Sequence, residues 1–529
     1  MKSSNLSRSA LRKLSFATLL ALSASAHADV KLPTLFSDHM VLQQETAASV
    51  WGTAAPDEKV TVKVGDQQAT ASAGADGKWM VKIGPLKAGG PVEMTVAGKN
   101  TITIKDVLVG EVWVCSGQSN MGMTVSGVQD KAREIAEAKH PQIRMFKVPN
   151  VALDEPANDV PRGAWTVCSP ETVSGFSATA YFFGRDLHEA LKQPIGLINT
   201  SWGGTRIEPW ISPASLEKDP VTKDDFAKFM SAPVTSAEVV AEYDKASIKY
   251  RQQVAEAKKN NTPVPARPPV APAGRVPGRP AYGRLYNAMI HPLIPYAIRG
   301  AIWYQGESNG GEGIKYRTWM PELITDWRNH WNQPGAAHDF PFLIVQLPDN
   351  GPKSPAGAEN VGWTLVREAE MQTASKLPNV GTAVTIDTSA DGNLHPPEKQ
   401  PVGHRLALIA ENKVYGHKDV VDSGPVFESA KPDGDKLILT FKEVHGGLVA
   451  KGDKLVGFYV AGEDRKFHPA DATIEGDTVV LHSAEVSKPI AARYSWAQHP
   501  DCNLFNKADL PAGPFRTDDW DTAAPVKRK

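Results

Sequence analysis

Four short stretches hold the residue types that acyl chemistry needs: "GQSN" at 117–120, "SWGGT" at 201–205, "WYQGESN" at 303–309 and "SADGNLHPPEKQ" at 389–400. A serine hydroxyl attacks a carbonyl only when a neighbouring base takes its proton, which pairs Ser119 as a nucleophile with His395 as a base. The developing oxyanion needs donors. Gly203 and Gly204 let backbone N–H groups approach a ligand, and Gln305 carries a side-chain amide. Each residue also has a plainer reading: a strand running into a polar turn for Ser119, one surface histidine among 14 for His395, a tight turn for the glycines, a capped strand end for Gln305. Only their convergence on one place makes a site.

Convergence is a question about the elements that carry them. "VLVGEVWVC" lacks the alternation of a half-buried strand and reads as a strand covered on both faces. "IGLINTS" and "GAIWY" end in the same way, in small and polar residues. Helical spacing in "ATAYFFGRDLHEAL", "YRTWMPELITDWRNHW", "TLVREAEMQTASKL" and "QPVGHRLALIAENKVYG" alternates with "FPFLIVQL" and "VGTAVTID". Strands alternating with helices predict a parallel sheet with helices on both faces, whose ligands bind beyond the carboxyl ends of the strands. Ser119, Gly203, Gly204 and Gln305 then share one rim, and the loop after "VGTAVTID" brings His395 to it.

The rest of the chain frames this domain. Residues 1–28 combine Lys2, Arg8, Arg12 and Lys13, an apolar run and Ala26-His27-Ala28, the pattern of a secretory signal peptide. An exported protein, periplasmic or extracellular, is expected, with no cysteine at the cleavage site to take a lipid. Residues 29–107 show short β-rich runs split by Gly, Asp and Pro turns, a sandwich-like domain. The catalytic domain occupies 108–212 and 284–416. It is interrupted at 213–283 by a polar helix and a Pro-rich stretch that is neither helix interior nor central strand. Alternating runs return in a C-terminal β-rich domain, 417–529. A chain of 529 residues is long enough for several cores.

Composition narrows the ligand. A formal net charge of -1, with no basic run beyond the N-terminus, offers no field for nucleic acid or a membrane surface. A small neutral ligand fits better. Cys115, Cys168 and Cys502 form no metal spacing and no disulfide framework, with a Cys115–Cys168 bridge the one pairing to test. Metal-protease, P-loop and dinucleotide motifs are missing from the sequence, so no cofactor or metal is expected. Met121 stands where the second glycine of Gly-x-Ser-x-Gly belongs, which disfavours the α/β-hydrolase elbow.

Five blocks in order, "GQSNM", "INTSWGGTRIEPW", "LYNAMIHPL", "IWYQGESN" and "LHPPEKQPVGHRLAL", resemble the bacterial sialate O-acetylesterase family of the SGNH hydrolase superfamily. "FSDHMVLQQ" near the start and "RYSWAQHPDCNLFNKADLPAGPFRTDDW" near the end extend the resemblance over nearly the whole mature chain. It implies a flavodoxin-like three-layer α/β/α domain flanked by β-rich domains, and removal of O-acetyl groups from sugars without a metal. By position, Ser119 matches the nucleophile, Gly203 and Gly204 the backbone oxyanion donors, and His395 the base. Gln305 stands where many relatives have asparagine.

The acid behind the histidine departs from the pattern. The superfamily usually has aspartate three residues before the histidine, where this chain has Gly392. Asp391, one residue further, is the expected orienting carboxylate. Glu307, Asp387, or a Ser–His dyad with a backbone carbonyl partner remain open. The alternatives for function are an esterase for acetylated plant polysaccharides such as xyloglucan or xylan, and a non-catalytic carbohydrate-binding protein.

Overall fold

The computed structural model describes residues 29–354, 362–389 and 391–520; the expected signal segment lies outside them. The central sheet contains β1 (Thr101–Gly117), β2 (His140–Lys147), β3 (Trp165–Cys168), β4 (Ile195–Ser201), β5 (Gly300–Tyr304), β6 (Phe342–Val345) and β7 (Val380–Ala383). They lie in the order β7-β6-β5-β1-β4-β2-β3, all parallel except β3, which runs antiparallel to β2. The chain leaves β1 toward β4 on one side and β5 on the other. The end of β1 is therefore the switch point at which such sheets bind ligands.

Both faces of this sheet are covered, which explains its unbroken apolar strands. The longer helices, of 14 residues or more, are in chain order α1 (Ala178–Leu191), α2 (Ala237–Lys259), α3 (Gly313–Trp331), α4 (Gly362–Lys376) and α5 (Gln400–Lys413). Phe182 and Phe183 of α1 and Leu406 of α5 pack with Trp113, Cys115 and Ile302 on one face. Met320 and Trp327 of α3 and Val366 of α4 pack with Val112, Val114 and Trp303 on the other. The predicted "ATAYFFGRDLHEAL" helix coincides with α1, entered through Ser177, whose Oγ accepts from the Ala180 N–H at 3.1 Å.

The boundary expected at residue 107 falls inside β1. The first half of this 17-residue strand pairs with Gly89–Ala97 and Val41–Gln43 of the N-terminal β-region, and its second half with β4 and β5. Val60 and Val62 accordingly share one apolar cluster with Trp303 and Trp327. The C-terminal region has its own core around Leu437, Leu439, Val460 and Tyr494. It is fastened to the catalytic domain by Arg367, which donates to the carbonyls of Leu347, Pro348, Ala497 and Gln498. Arg367 is thus buried at a domain contact.

Within the insertion, α2 opens at Ser236 and buries only Ala257 among its 23 residues, as its polar sequence requires. The described cysteines are all free. Cys115 on β1 and Cys168 on β3 are separated by two intervening strands, roughly 14 Å in sheet spacing, far beyond disulfide reach.

Candidate active site

β1 ends at Gly117, where φ is +138° and a side chain would run into the Tyr304 carbonyl at the end of β5. The Gln118 N–H donates to that carbonyl at 2.9 Å, and the Trp202 N–H donates to the Gly117 carbonyl at 3.0 Å. Three strand ends are so laced together, and Ser119 emerges from their centre, half-buried, on the first residue of the short Ser119–Gly122 helix.

His395 comes from the loop between β7 and α5. Its Nε2 lies 2.7 Å from Ser119 Oγ, the separation a proton transfer requires. Burial pushes the imidazole pKa below its ordinary value, helped by the nearby Lys399 cation. The ring is therefore neutral at pH 7 and able to accept a proton. Gly203 lies against the serine: a Cβ built on it would sit 3.3 Å from Ser119 Cβ. Gly204 has φ +75° with open space around it. The N–H groups of both glycines have no hydrogen-bond partner among the described residues.

Two predicted residues serve differently. Gln305 is fully buried. Its amide nitrogen donates to Asn309 Oδ1 at 2.9 Å, the Thr205 carbonyl at 3.1 Å and Gln118 Oε1 at 3.2 Å, while its Oε1 accepts from the Tyr316 hydroxyl at 3.0 Å. An amide with both N–H bonds committed has none for an oxyanion. Gln305 instead ties the turns after β1, β4 and β5 to one another.

The second correction concerns Asp391. Its Oδ1 accepts from the Asn393 N–H at 3.1 Å, shaping the loop, and no bond joins it to His395. Asp387 is held in a two-pronged pair by Arg405, and Glu307 Oε1 accepts from Asn120 Nδ2 at 2.5 Å. Among the described residues no carboxylate bonds to His395. The geometry is that of a dyad.

Asn120 and Lys399, to which the sequence reading gave no role, complete the setting. Asn120, next to the serine, donates from Nδ2 to both Glu307 and the Leu394 carbonyl, the latter at 3.0 Å, and so fastens the histidine loop to the serine turn. Burial pushes the Glu307 carboxyl up to about 7 and the Lys399 ammonium down to about 7. Lys399 donates to the Pro396 carbonyl and sits 5.7 Å over the Tyr304 ring. A polar residue beside the nucleophile and a lysine one turn after the base were the available signals. Arg206 pairs with Glu208 at 2.6 Å and also with Glu312. Trp210, Trp303 and Tyr304 are fully buried, so these aromatic residues pack the core and present no face to a sugar. Among the described residues no group of three His, Cys, Asp or Glu side chains is arranged to hold a metal ion.

A three-layer sheet of this order, with serine and histidine meeting at the end of its central strand, is an SGNH-type hydrolase domain. The chain belongs to the carbohydrate esterase family described as sialic acid-specific acetylesterase, matched over residues 109–232 and 275–410, and is an esterase. The gap at 233–274 contains α2 and most of the Pro-rich stretch. The chain is 32% identical to the sialate O-acetylesterase of Mus musculus, covering 93% of this chain and 95% of the relative. It is 31% identical to that of Homo sapiens, covering 93% of each. The crystal structure of a carbohydrate acetylesterase from Xanthomonas citri superposes with a TM-score of 0.77 at 34% identity, covering 93% of this chain and all of that one.

Proposed function

We propose that the protein removes O-acetyl groups from sugars through an acetyl-enzyme on Ser119. The observation that carries this reading is the 2.7 Å contact of His395 Nε2 with Ser119 Oγ beside the unpartnered N–H groups of Gly203 and Gly204. His395 takes the hydroxyl proton as Ser119 Oγ bonds to the acetyl carbon, and the tetrahedral oxyanion is held by the N–H groups of Ser119 and Gly204. The carbon–oxygen bond to the sugar then breaks, the sugar oxygen leaving with the proton from His395. Water, deprotonated by the same histidine, attacks the acetyl-enzyme and releases acetate and Ser119. The signal-like N-terminus supports export, so the substrate would be met outside the cytoplasm.

The arginines bear on which sugar. The relatives named above are sialate O-acetylesterases, and a sialate carboxylate favours a free arginine in the cleft. Arg206, two residues after Gly204, is held by two carboxylates, and Arg367 is spent on backbone carbonyls and Asp349. This favours a neutral acetylated glycan such as xyloglucan or xylan. The test is acetate release from acetylated xylan, acetylated xyloglucan and O-acetylated sialic acid side by side, with mass spectrometry of acid-quenched enzyme for acetyl on Ser119. Faster release from the sialate substrate would reverse the substrate preference. No turnover of a chromogenic acetate ester would favour a carbohydrate-binding protein instead.

A further inference from the structure

Away from the rim, two cavities adjoin each other on the flank of the catalytic domain. The first, about 650 Å³, lies between the N-terminal β-region and the catalytic domain, with Trp51, Trp79 and Met80 in its wall. The second, about 360 Å³, lies under the start of the insertion, with Phe226, Tyr282 and Tyr286 in its wall. They share His291. One continuous segment also lines both, residues 154–156 facing the smaller cavity and 157–159 the larger. Together they form one trough, to which neither Ser119, Gly203, Gly204 nor His395 contributes.

The walls have the character of a ligand site. Tyr286 and Asn287 are 2% and 1% exposed, yet the Tyr286 hydroxyl and Asn287 Oδ1 have no hydrogen-bond partner, and neither has Trp79 Nε1. Buried polar groups are ordinarily paired, but each of these three atoms is itself sealed from the cavity, so they mark a wall short of partners and the ligand contacts fall to the exposed groups around them. Each arm carries a half-buried aromatic ring, Trp51 in the larger and Tyr282 in the smaller, the flat amphipathic surface on which a sugar ring packs. The smaller cavity also offers Glu155 and Glu217, exposed and without an ion-pair partner among the described residues, as acceptors for hydroxyl groups. The carboxylates that line this arm repel an anionic sugar. The Asp154 carboxylate is already engaged by Arg284 at 2.6 Å.

We propose that this trough is a second glycan-binding site, taking several units of an uncharged oligosaccharide chain and holding polymeric substrate to the enzyme. Binding there involves no turnover, so the proposal stands or falls separately from the acetyl-enzyme reading. The experiment is isothermal calorimetry on the full chain carrying Ser119→Ala, titrated with xylohexaose, cellohexaose and, as the anionic control, sialyllactose. At least one neutral hexasaccharide should bind, and more tightly than sialyllactose. Tyr282→Ala, which removes the half-buried ring of the smaller arm, should weaken binding about tenfold, the value of one aromatic face against a sugar ring. Met80→Arg, at a position 45% exposed, should weaken it as well by obstructing the larger arm. The proposal is overturned if no neutral hexasaccharide binds, if sialyllactose binds more tightly, or if both variants, folded by circular dichroism, bind as the parent does.

Discussion

The two halves of the candidate active site are built in different ways. The serine half is set on strand ends and locked by a buried mesh: Gln305 reaches Gln118, Thr205 and Asn309, and Asn309 reaches Ile207 and Glu208 in turn. The histidine half is a loop held largely by its own backbone, with Ser389 bonded to the Asn393 carbonyl and Asp391 to the Asn393 N–H, and tied outward where Gly351 donates to the Gly392 carbonyl, Asn120 to the Leu394 carbonyl and Gln129 to the Pro397 carbonyl. Position is therefore rigid on one side and adjustable on the other. Substitutions in the mesh should cost folding as well as rate, whereas those around the loop should cost rate alone.

The comparison has its limit at the reacting pair, where both halves count equally. Ser119→Ala and His395→Ala should each lower kcat for acetate release on the order of 10⁴-fold or more, because nucleophile and base act as a unit. Steady-state kinetics checks this, and near-normal turnover in either variant ends the dyad account. Gln305→Ala should be the next most damaging. It leaves the Thr205 carbonyl without a donor in a buried setting, whereas Asn309 keeps Ile207 and Glu208 and Tyr316 keeps the Gln305 carbonyl, so the loss of stability should be about 1–3 kcal/mol. Chemical denaturation measures it. A fall in kcat of ~100- to 1,000-fold at unchanged stability would instead return Gln305 to the oxyanion.

Asn120→Ala probes the joint between the halves. With the serine still in its mesh and the histidine loop released, kcat should drop about 10- to 100-fold, as a displaced catalytic group does, with KM little changed and a loss of stability of about 1–3 kcal/mol for the Glu307 and Leu394 oxygens left without their donor. A loss of folding without the fall in kcat would place Asn120 in the mesh.

Much of the scaffold was legible in the sequence because it rests on local pattern. The full length of α1 follows from apolar spacing and its Ser177 cap, and the ends of β1, β4 and β5 follow from where apolar runs meet small residues. Ser119 and His395 were legible as residue types in ordered blocks. What was not legible depends on distant partners. Gln305 reads as a donor until Thr205, Asn309 and Gln118 are seen around it, and nothing near Arg367 in the chain announces the C-terminal carbonyls it binds. The boundary at 107 falls inside a strand for a related reason: its first half pairs with the N-terminal β-region and its second with the central sheet, and composition changes along it without a break in the backbone.

Protonation gives a finer test of the histidine half. Because burial and Lys399 disfavour the imidazolium, His395 titrates below its ordinary value, and the acid limb of kcat/KM should lie below pH 6.5. In that range Lys399, with its pKa near 7, is still charged, and Glu307, also near 7, is largely protonated and offers no compensating anion. Lys399→Met removes the cation, so the limb should move upward toward the ordinary imidazole value in a pH–rate profile. A limb that stays put or moves down would show that Lys399 does not act on His395.

The smallest effect separates this site most sharply from a full triad. An aspartate that orients the catalytic histidine cannot be replaced by asparagine without a loss of about 10⁴-fold in kcat, because the amide favours the wrong tautomer. Asp391 does a different task here. Its Oδ1 accepts from the Asn393 N–H, and Asn393 Oδ1 accepts in turn from the His395 N–H at 3.0 Å, so Asp391 acts on the backbone that carries the ring. An asparagine at 391 still presents an oxygen to that N–H and forfeits only the charge on the bond, a change of roughly threefold or less in kcat/KM. Asp391→Asn should therefore leave an active enzyme whose acid limb is unmoved. A collapse of kcat in that variant would mean that the loop rearranges during turnover to bring Asp391 against the second ring nitrogen, and the flexible half of the site would then assemble its acid only with substrate bound.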